Sequence, residues 1–185
     1  MNIRRIASLC LLCLLCLPGF CLATDYSYLT LATASGAISG DSTDPVALNS
    51  IRVIASDLNL YYPKDSSGGY AGQFVQGPLY IQKKVDKASP KLYQALVTGE
   101  TMTTFELEHW TTASEPFLFM TIELSGAKIV EISSSKMKEA FADDISGVFP
   151  IETVGFSYTG ATVTFTPQRG DGTADTPITY TWGGN

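Results

Sequence analysis

Cysteine is missing from the chain beyond position 21. All four, Cys10, Cys13, Cys16 and Cys21, fall within the first 23 residues. Residues 24–185 therefore have no disulfide framework, no thiolate metal site and no cysteine nucleophile. The spacing Cys10-x-x-Cys13-x-x-Cys16 resembles a metal motif, but it lies in an apolar run where cysteine serves as small apolar filler. Histidine is almost as scarce, with His109 alone. Basic charge is also short: beyond residue 23 there are 10 Lys and Arg against 18 Asp and Glu, a net charge of −8. Nucleic acid and anionic lipid surfaces are poor partners for such a chain. The one long apolar run, Ile6 to Leu17, has 12 residues, short of the ~20 that a spanning helix needs. No Gly-x-Ser-x-Gly elbow is present, and no glycine-rich motif joins a strand to a helix.

The N-terminus carries its own signal. Arg4 and Arg5 make a positive region, Ile6–Leu17 an apolar core, Pro18-Gly19 a break, and Cys21-Leu22-Ala23 a small-x-small cleavage site. Residues 1–23 read as a secretory signal peptide cut after Ala23, which predicts a secreted or periplasmic product. Phe20 stands before Cys21, where lipidation would want a small residue. Residues 24–185 are one ordinary domain, long enough to bury a core without staples, with no membrane role for the mature part.

Alternation with β-branched and aromatic residues dominates from Tyr28 onward. It predicts strands at Tyr28–Ala34, Ile51–Leu60, Leu79–Val85, Met102–Trp110, Phe117–Leu124, Lys128–Ser133, Glu152–Tyr158, Thr162–Thr166 and Thr176–Trp182. In the fourth of these, Phe105 and Leu107 share one face and Glu106 and Glu108 the other, as a sheet with one wet side requires. Ile178, Tyr180 and Trp182 likewise fall together. One helix is expected, Pro90 to Thr98, with Ser89 as its cap, Leu92, Tyr93, Leu96 and Val97 burying a face, and Gly99 ending it. Met137, Phe141 and Ile145 predict a further helical turn or two over Lys136–Ile145, and the glycine- and serine-rich run Lys64–Gly72 a long mobile loop. The fold expected is mostly β, a closed β-barrel of two packed antiparallel sheets with one short flanking α-helix, since closure removes exposed edges.

Candidate chemistry is sparse. His109 shares the face of Phe105 and Leu107, which predicts a half-buried structural histidine. Glu106 and Glu108 lie ~7 Å apart on one strand face; a carboxylate pair can hydrolyse glycosides, and a solvated strand face is its commoner meaning. Asp143-Asp144 and Asp171-Gly172 lack the alternate oxygen ligands and terminal Glu of a calcium loop, and turn chemistry accounts for them. The residues themselves assign no catalytic, cofactor-binding or metal role.

The run Val85-Asp86-Lys87-Ala88-Ser89-Pro90, followed by Leu92, Ala95 and Gly99, resembles the signature of the haemolysin-coregulated protein (Hcp) family, the tube subunit of type VI secretion. The strand Phe117–Leu124, the segment Pro150–Tyr158, Thr164-Phe165-Thr166-Pro167-Gln168 before a Gly/Asp turn, and Trp182 with Asn185 at the end follow the same order. The resemblance implies a barrel with a flanking helix, self-association into a homohexameric ring, and stacking of rings into a tube. It further implies effector proteins in the lumen, contacts with sheath and spike components, and a loop at Lys64–Gly72 suited to meeting the next ring. Val85, Asp86, Lys87, Ala88, Ser89 and Pro90 would then be structural, fixing the helix against the barrel. The export signal leaves a second reading, an exported monomeric binding module or secreted effector using residues 63–77 or 134–150. A hydrolase built on His109 or the Glu106/Glu108 pair is the third.

Overall fold

Alternating side chains and frequent turn residues produce ten strands and a single α-helix among the described residues. The computed structural model describes residues 25–111, 115–138 and 148–184. In chain order these are β1 (Tyr26–Thr33), β2 (Gly36–Ile38), a 3-10 turn (Pro45–Ala47), β3 (Ile51–Tyr61), β4 (Val75–Lys84) and α1 (Ser89–Thr98). Then come β5 (Met102–Thr111), β6 (Phe117–Ser125), β7 (Lys128–Lys138), β8 (Val148–Ser157), β9 (Gly160–Phe165) and β10 (Ile178–Gly183). All the expected strands are present within a few residues of their expected ends. β2 is an addition: Gly36, at φ 115°, turns the chain back so that three residues pair with β1.

The pairing is antiparallel throughout, in the order β10-β9-β6-β5-β1-β3-β4-β8-β7, with β2 beside β1. The mostly β fold with one helix is as expected, and the order leaves the expected closure of the barrel unconfirmed, because among the described residues no hydrogen-bonded ladder joins β10 to β7. The sheet folds over one core. β1 meets β3 over only three pairs, Ser27 to Leu29 against Ile51 to Val53. At the far corner the Met102 amide donates to the Ala127 carbonyl (2.8 Å) and the Thr159 amide to the Ser125 carbonyl (2.9 Å), tying the β6–β7 and β8–β9 turns together. Side chains tie β10 to β4 and to the end of β8: Trp182 Nε1 donates to Gln76 Oε1 (2.8 Å), and Gln76 Nε2 to the Tyr158 carbonyl (2.6 Å).

Directly paired residues share a face, so the core reads as rows across the strands. One row runs Ile51, Leu29, Leu107, Ile122, Val163, Tyr180. Its first three members are wholly buried, and burying each such side chain stabilises by about 1.5–3 kcal/mol. Phe105 and Phe156 cross the core edge to face, centroids 5.0 Å apart.

Helix α1 buries Leu92 and Ala95, while Tyr93 and Val97 face outward. The buried stripe is thus narrower than the expected Leu92, Tyr93, Leu96 and Val97. Gly99 ends the helix at φ 66°, with its amide on the Leu96 carbonyl and that of Glu100 on the Ala95 carbonyl, as a left-handed cap requires. Lys136–Lys138 continues β7 as strand, correcting the helical turn expected there. The rest of that segment, residues 139–145, and residues 1–23, where a signal peptide is expected, lie outside the described residues.

The 63–74 connection is an ordered hairpin tip. Lys64 bridges Tyr70, and Asp65 Oδ1 accepts from the Ser67 amide (2.9 Å), the Ser67 hydroxyl (2.7 Å) and the Gly69 amide (2.8 Å). An aspartate that gathers three donors organises a turn by itself.

Candidate functional site

The stretch that carries the family resemblance begins at the end of β4, where Leu79, Ile81 and Lys83 alternate onto the inner face and are all wholly buried. A lysine at the third of these positions demands a partner, since an unpaired buried charge is very costly. β8 supplies it: Glu152 pairs directly opposite Lys83 and is also wholly buried. Lys83 Nζ lies 3.0 Å from Glu152 Oε2, 2.7 Å from Asp86 Oδ1, 3.1 Å from Ser89 Oγ and 2.7 Å from the Lys84 carbonyl oxygen. Its three protons meet four acceptors.

Ser89 plays a different part from the expected one. Ala88 is the N-cap of α1, with no side-chain cap bond. The Ser89 hydroxyl donates to Glu152 Oε2 (2.7 Å) and accepts from the Asp86 amide (3.2 Å), while Asp86 Oδ1 accepts from the Ala88 amide (3.0 Å). Asp86 shapes the turn into the helix, and Ser89, in its first turn, points into the core. Tyr93, one turn later, donates its hydroxyl to Glu152 Oε1. Burial pushes the Glu152 carboxyl up, but the hydrogen bonds from Ser89, Tyr93 and Lys83 and the lysine charge outweigh it, so the group sits below its ordinary value. The bond to Glu152, aided by burial, raises the Tyr93 phenol.

Of the six motif residues, Ala88 and Ser89 are buried, Asp86 is half-buried, and Val85, Lys87 and Pro90 are exposed. Lys87 reaches Asn49 Oδ1 at 3.2 Å, and the Val85 amide bonds the Pro150 carbonyl (3.1 Å). The cluster is a latch joining β4, β8 and α1, and its donors and acceptors are committed to one another. Lys83, Glu152 and Tyr93 were missed from sequence. The available signal was parity, since Lys83 alternates with Leu79 and Ile81, and Glu152 with Val154 and Phe156.

The other candidates are dispersed. His109 lies in an inner row between Met120 and Ser27, with Nδ1 2.8 Å from the Ser27 hydroxyl oxygen. Burial holds its pKa below the ordinary value, with Asp25 opposing. That is the half-buried histidine expected. Glu106 and Glu108 lie on the outer face, and Glu123 is paired opposite Glu106. Burial first, then the charges of Glu108 and Glu123, push Glu106 up. A small cavity of about 110 Å³ lies between the β1–β2 turn and α1, lined by Thr33, Ser35, Lys91, Gln94 and Glu100, well below the ~300–1,000 Å³ of ordinary ligand sites. Among the described residues, no group of three His, Asp or Glu could hold a metal ion, and no helix is long and apolar enough to cross a membrane.

Two apolar surfaces are open. On the β3–β4 hairpin, Tyr62 lies 5.4 Å from Tyr70 and 5.8 Å from Phe74, ring centroid to centroid, and all three rings are exposed. On β9 and β10, Phe165, Ile178 and Tyr180 are exposed.

Comparison with known proteins gives this architecture a family. A solved type six secretion system protein is 25% identical, with a TM-score of 0.73, and the match covers 86% of this chain and 96% of that one. Hcp1 of E. coli EAEC 042 is 24% identical at TM-score 0.69, covering 85% and 97%. Secreted protein Hcp3 of Pseudomonas aeruginosa is 23% identical at TM-score 0.60, covering 86% and 99%. The likeness to these last two is one of fold. A search of curated proteins found no match. The family model described as "Type VI secretion system effector, Hcp" matches residues 28–165, three quarters of the chain, and the chain belongs to that family.

Proposed function

We propose that this chain is a structural tube subunit of a type VI secretion system, forming six-membered rings that stack into a tube and carry or accompany effectors. The family match over residues 28–165 is the observation that carries this reading. Two features support it. The latch residues Lys83, Asp86, Ser89, Tyr93 and Glu152 satisfy one another and make the strand-to-helix junction rigid, as a repeated building block requires. The exposed Tyr62, Tyr70 and Phe74 give the hairpin an apolar tip of the kind that marks protein contact surfaces. In the assembled tube this hairpin would meet the next ring, and sheath, spike and effector proteins would be the other partners. The subunit is read as having no enzymatic, cofactor-binding or metal-binding role. Residues 1–23 would export it as a cleavable signal peptide, leaving residues 24–185 as an Hcp-like barrel domain, secreted or periplasmic.

A second reading rests on that same N-terminal segment. Arg4, Arg5 and the apolar run to Leu17 would carry the chain away from cytoplasmic tube assembly. An exported monomeric binding module or secreted effector would then use the hairpin for a ligand or host protein. Native mass of the purified chain by light scattering, with electron microscopy, decides between them. Ring-shaped particles of about six chain masses are expected from the tube subunit. A single-chain mass at high protein concentration would overturn it and favour the exported module.

A further inference from the structure

We infer that Tyr62 and Tyr70 form an oxidative cross-linking site, their rings placed to couple into a dityrosine that staples the tip of the β3–β4 hairpin. The inference concerns the tip of the unassembled chain and does not depend on the ring reading.

The backbone beneath the rings sets their placement. Tyr62 follows the last residue of β3, and Tyr70 stands on the opposite arm of the hairpin. The arms are pinned by the Lys64–Tyr70 bridge, by the Ala71 amide on the Pro63 carbonyl (2.8 Å) and by the Asp65 amide on the Gly69 carbonyl (2.8 Å). Inside the turn Asp65 gathers the Ser67 and Gly69 donors. The two ring centroids are thereby held 5.4 Å apart, and Phe74 packs against Tyr62 at 5.8 Å. Tyr62 is 50% exposed and Tyr70 81%. Exposed side chains rotate on the fastest timescales of the molecule, so small ring rotations bring the carbons ortho to the two oxygens together without backbone movement.

Other tyrosines of the described residues are committed elsewhere. Tyr28 has Tyr26 at 6.4 Å, but Tyr28 is buried and gives its hydroxyl to Asp44. Tyr93 is bonded to Glu152 and Tyr80 to Glu131, and the ring beside Tyr180 is that of Trp182. Tyr62 and Tyr70 make ring contacts, and neither hydroxyl has a hydrogen-bond partner among the described residues.

The coupling takes a one-electron oxidant, of the class of a haem peroxidase working on hydrogen peroxide. Each phenol gives up one electron and its hydroxyl proton and becomes a phenoxyl radical. A carbon–carbon bond forms between the two ortho carbons, and the hydrogens on those carbons move to the oxygens, restoring two phenols. The two electrons and two protons released reduce one peroxide to two waters. Because the second radical arises beside the first, the pair couples within one chain rather than by collision. Residues 24–185 hold no thiol to consume the oxidant or to form a disulfide in its place. The product closes a loop over Ser66-Ser67-Gly68-Gly69, the kind of exposed small-residue tip where proteases nick. Like a disulfide, it restricts the unfolded chain.

Treating the dilute full chain with a haem peroxidase and hydrogen peroxide tests this. Trypsin cuts after Arg52, Lys64 and Lys83, so the peptides Val53–Lys64 and Asp65–Lys83 should emerge as a linked pair, lighter than their sum by two hydrogens and carrying dityrosine fluorescence. Tyr62→Phe and Tyr70→Phe should each lose the linked pair. Tyr61→Phe and Tyr80→Phe, which change the other tyrosine of each peptide, should retain it. Three results overturn the inference: no linked pair while free tyrosine added to the same mixture couples; a linked pair that survives in Tyr62→Phe or Tyr70→Phe; or dityrosine found only between chains, as dimers on a denaturing gel.

Discussion

Replacing Lys83 with methionine tests the latch most directly. The substitution keeps the aliphatic bulk in the core and deletes the cation that faces Glu152 and Asp86 at 3.0 and 2.7 Å. Glu152, wholly buried, is left with the hydroxyls of Ser89 and Tyr93, and Asp86 with the Ala88 amide. Removing one member of a buried ion pair costs about 3–5 kcal/mol, because the uncompensated charge remains. At about 3 °C per kcal/mol for a domain of this size, the melting temperature should fall by roughly 10–15 °C. Urea unfolding should show an earlier midpoint with an unchanged slope, which marks a stability change rather than altered compactness. Glu152→Gln should be milder, about 1–3 kcal/mol, because Lys83 keeps Asp86 as its counter-ion. Lys83→Met combined with Glu152→Leu should recover part of the loss, since an apolar pair needs no partner. The two sites should therefore be coupled in a double-mutant cycle. A cost below about 1 kcal/mol for Lys83→Met, or no coupling, would refute the latch.

Tyr28 donates to Asp44 at 2.7 Å, and burial followed by that bond pushes its phenol up to about 12 from an ordinary 10.0. Its contribution is complete below pH 10 and is lost as pH rises from 10 towards 12. The wild type should therefore lose more stability over that window than Tyr28→Phe; parallel pH–melting curves would contradict this. Gly160 approaches Gly184 and Gly183 so closely that a Cβ would lie 2.3 Å from the Gly184 nitrogen. Gly160→Ala must push the end of β10 away at a cost of about 1–3 kcal/mol, which faster amide exchange over Ile178–Gly183 should report. His109→Ala deletes the bond to Ser27 and the ring contact with Phe119, so a loss of about 1–3 kcal/mol is expected in unfolding experiments, with the native mass unchanged. A hydrolytic activity of the wild type that vanished in this variant would revive the catalytic reading.

What could be read from sequence was what local spacing governs. Phe105 and Leu107 alternate against Glu106 and Glu108, and the structure separates them onto inner and outer faces as period two demands. Gly99 follows a helical stripe and takes the left-handed cap that glycine tolerates best. What escaped depends on partners distant in sequence. Ser89 fits every local rule for a cap, yet its hydroxyl is drawn to Glu152, 63 positions away. Lys83 reads as a polar strand end until β8 sets Glu152 opposite it, 69 positions on. Alternation alone could not decide barrel closure either. The order in which β1 lies between β5 and β3, leaving β10 and β7 as ends, is a property of pairing that no single segment encodes.

The latch also ties the helix to the sheet beneath it, and Tyr93 is where that link can be tested. α1 packs on β7, while its first two turns are fastened to β4 through Ser89 and to β8 through Ser89 and Tyr93. Tyr93 is the outermost member, 40% exposed, so Tyr93→Phe removes the hydroxyl's bond to the charged Glu152 and its bond with Ser134 of β7, with little change in packing. The bond to the charged acceptor is worth about 1.5–3 kcal/mol, which leaves the domain folded but loosens the helix. If α1 acts as the brace for β7, amide exchange should rise together over Ser89–Thr98 and Lys128–Lys138, while Ile178–Gly183 in the isolated subunit keeps its wild-type rate. Faster exchange in α1 with β7 unmoved would separate the helix from the edge it is held to support, and the motif would then stabilise the junction alone.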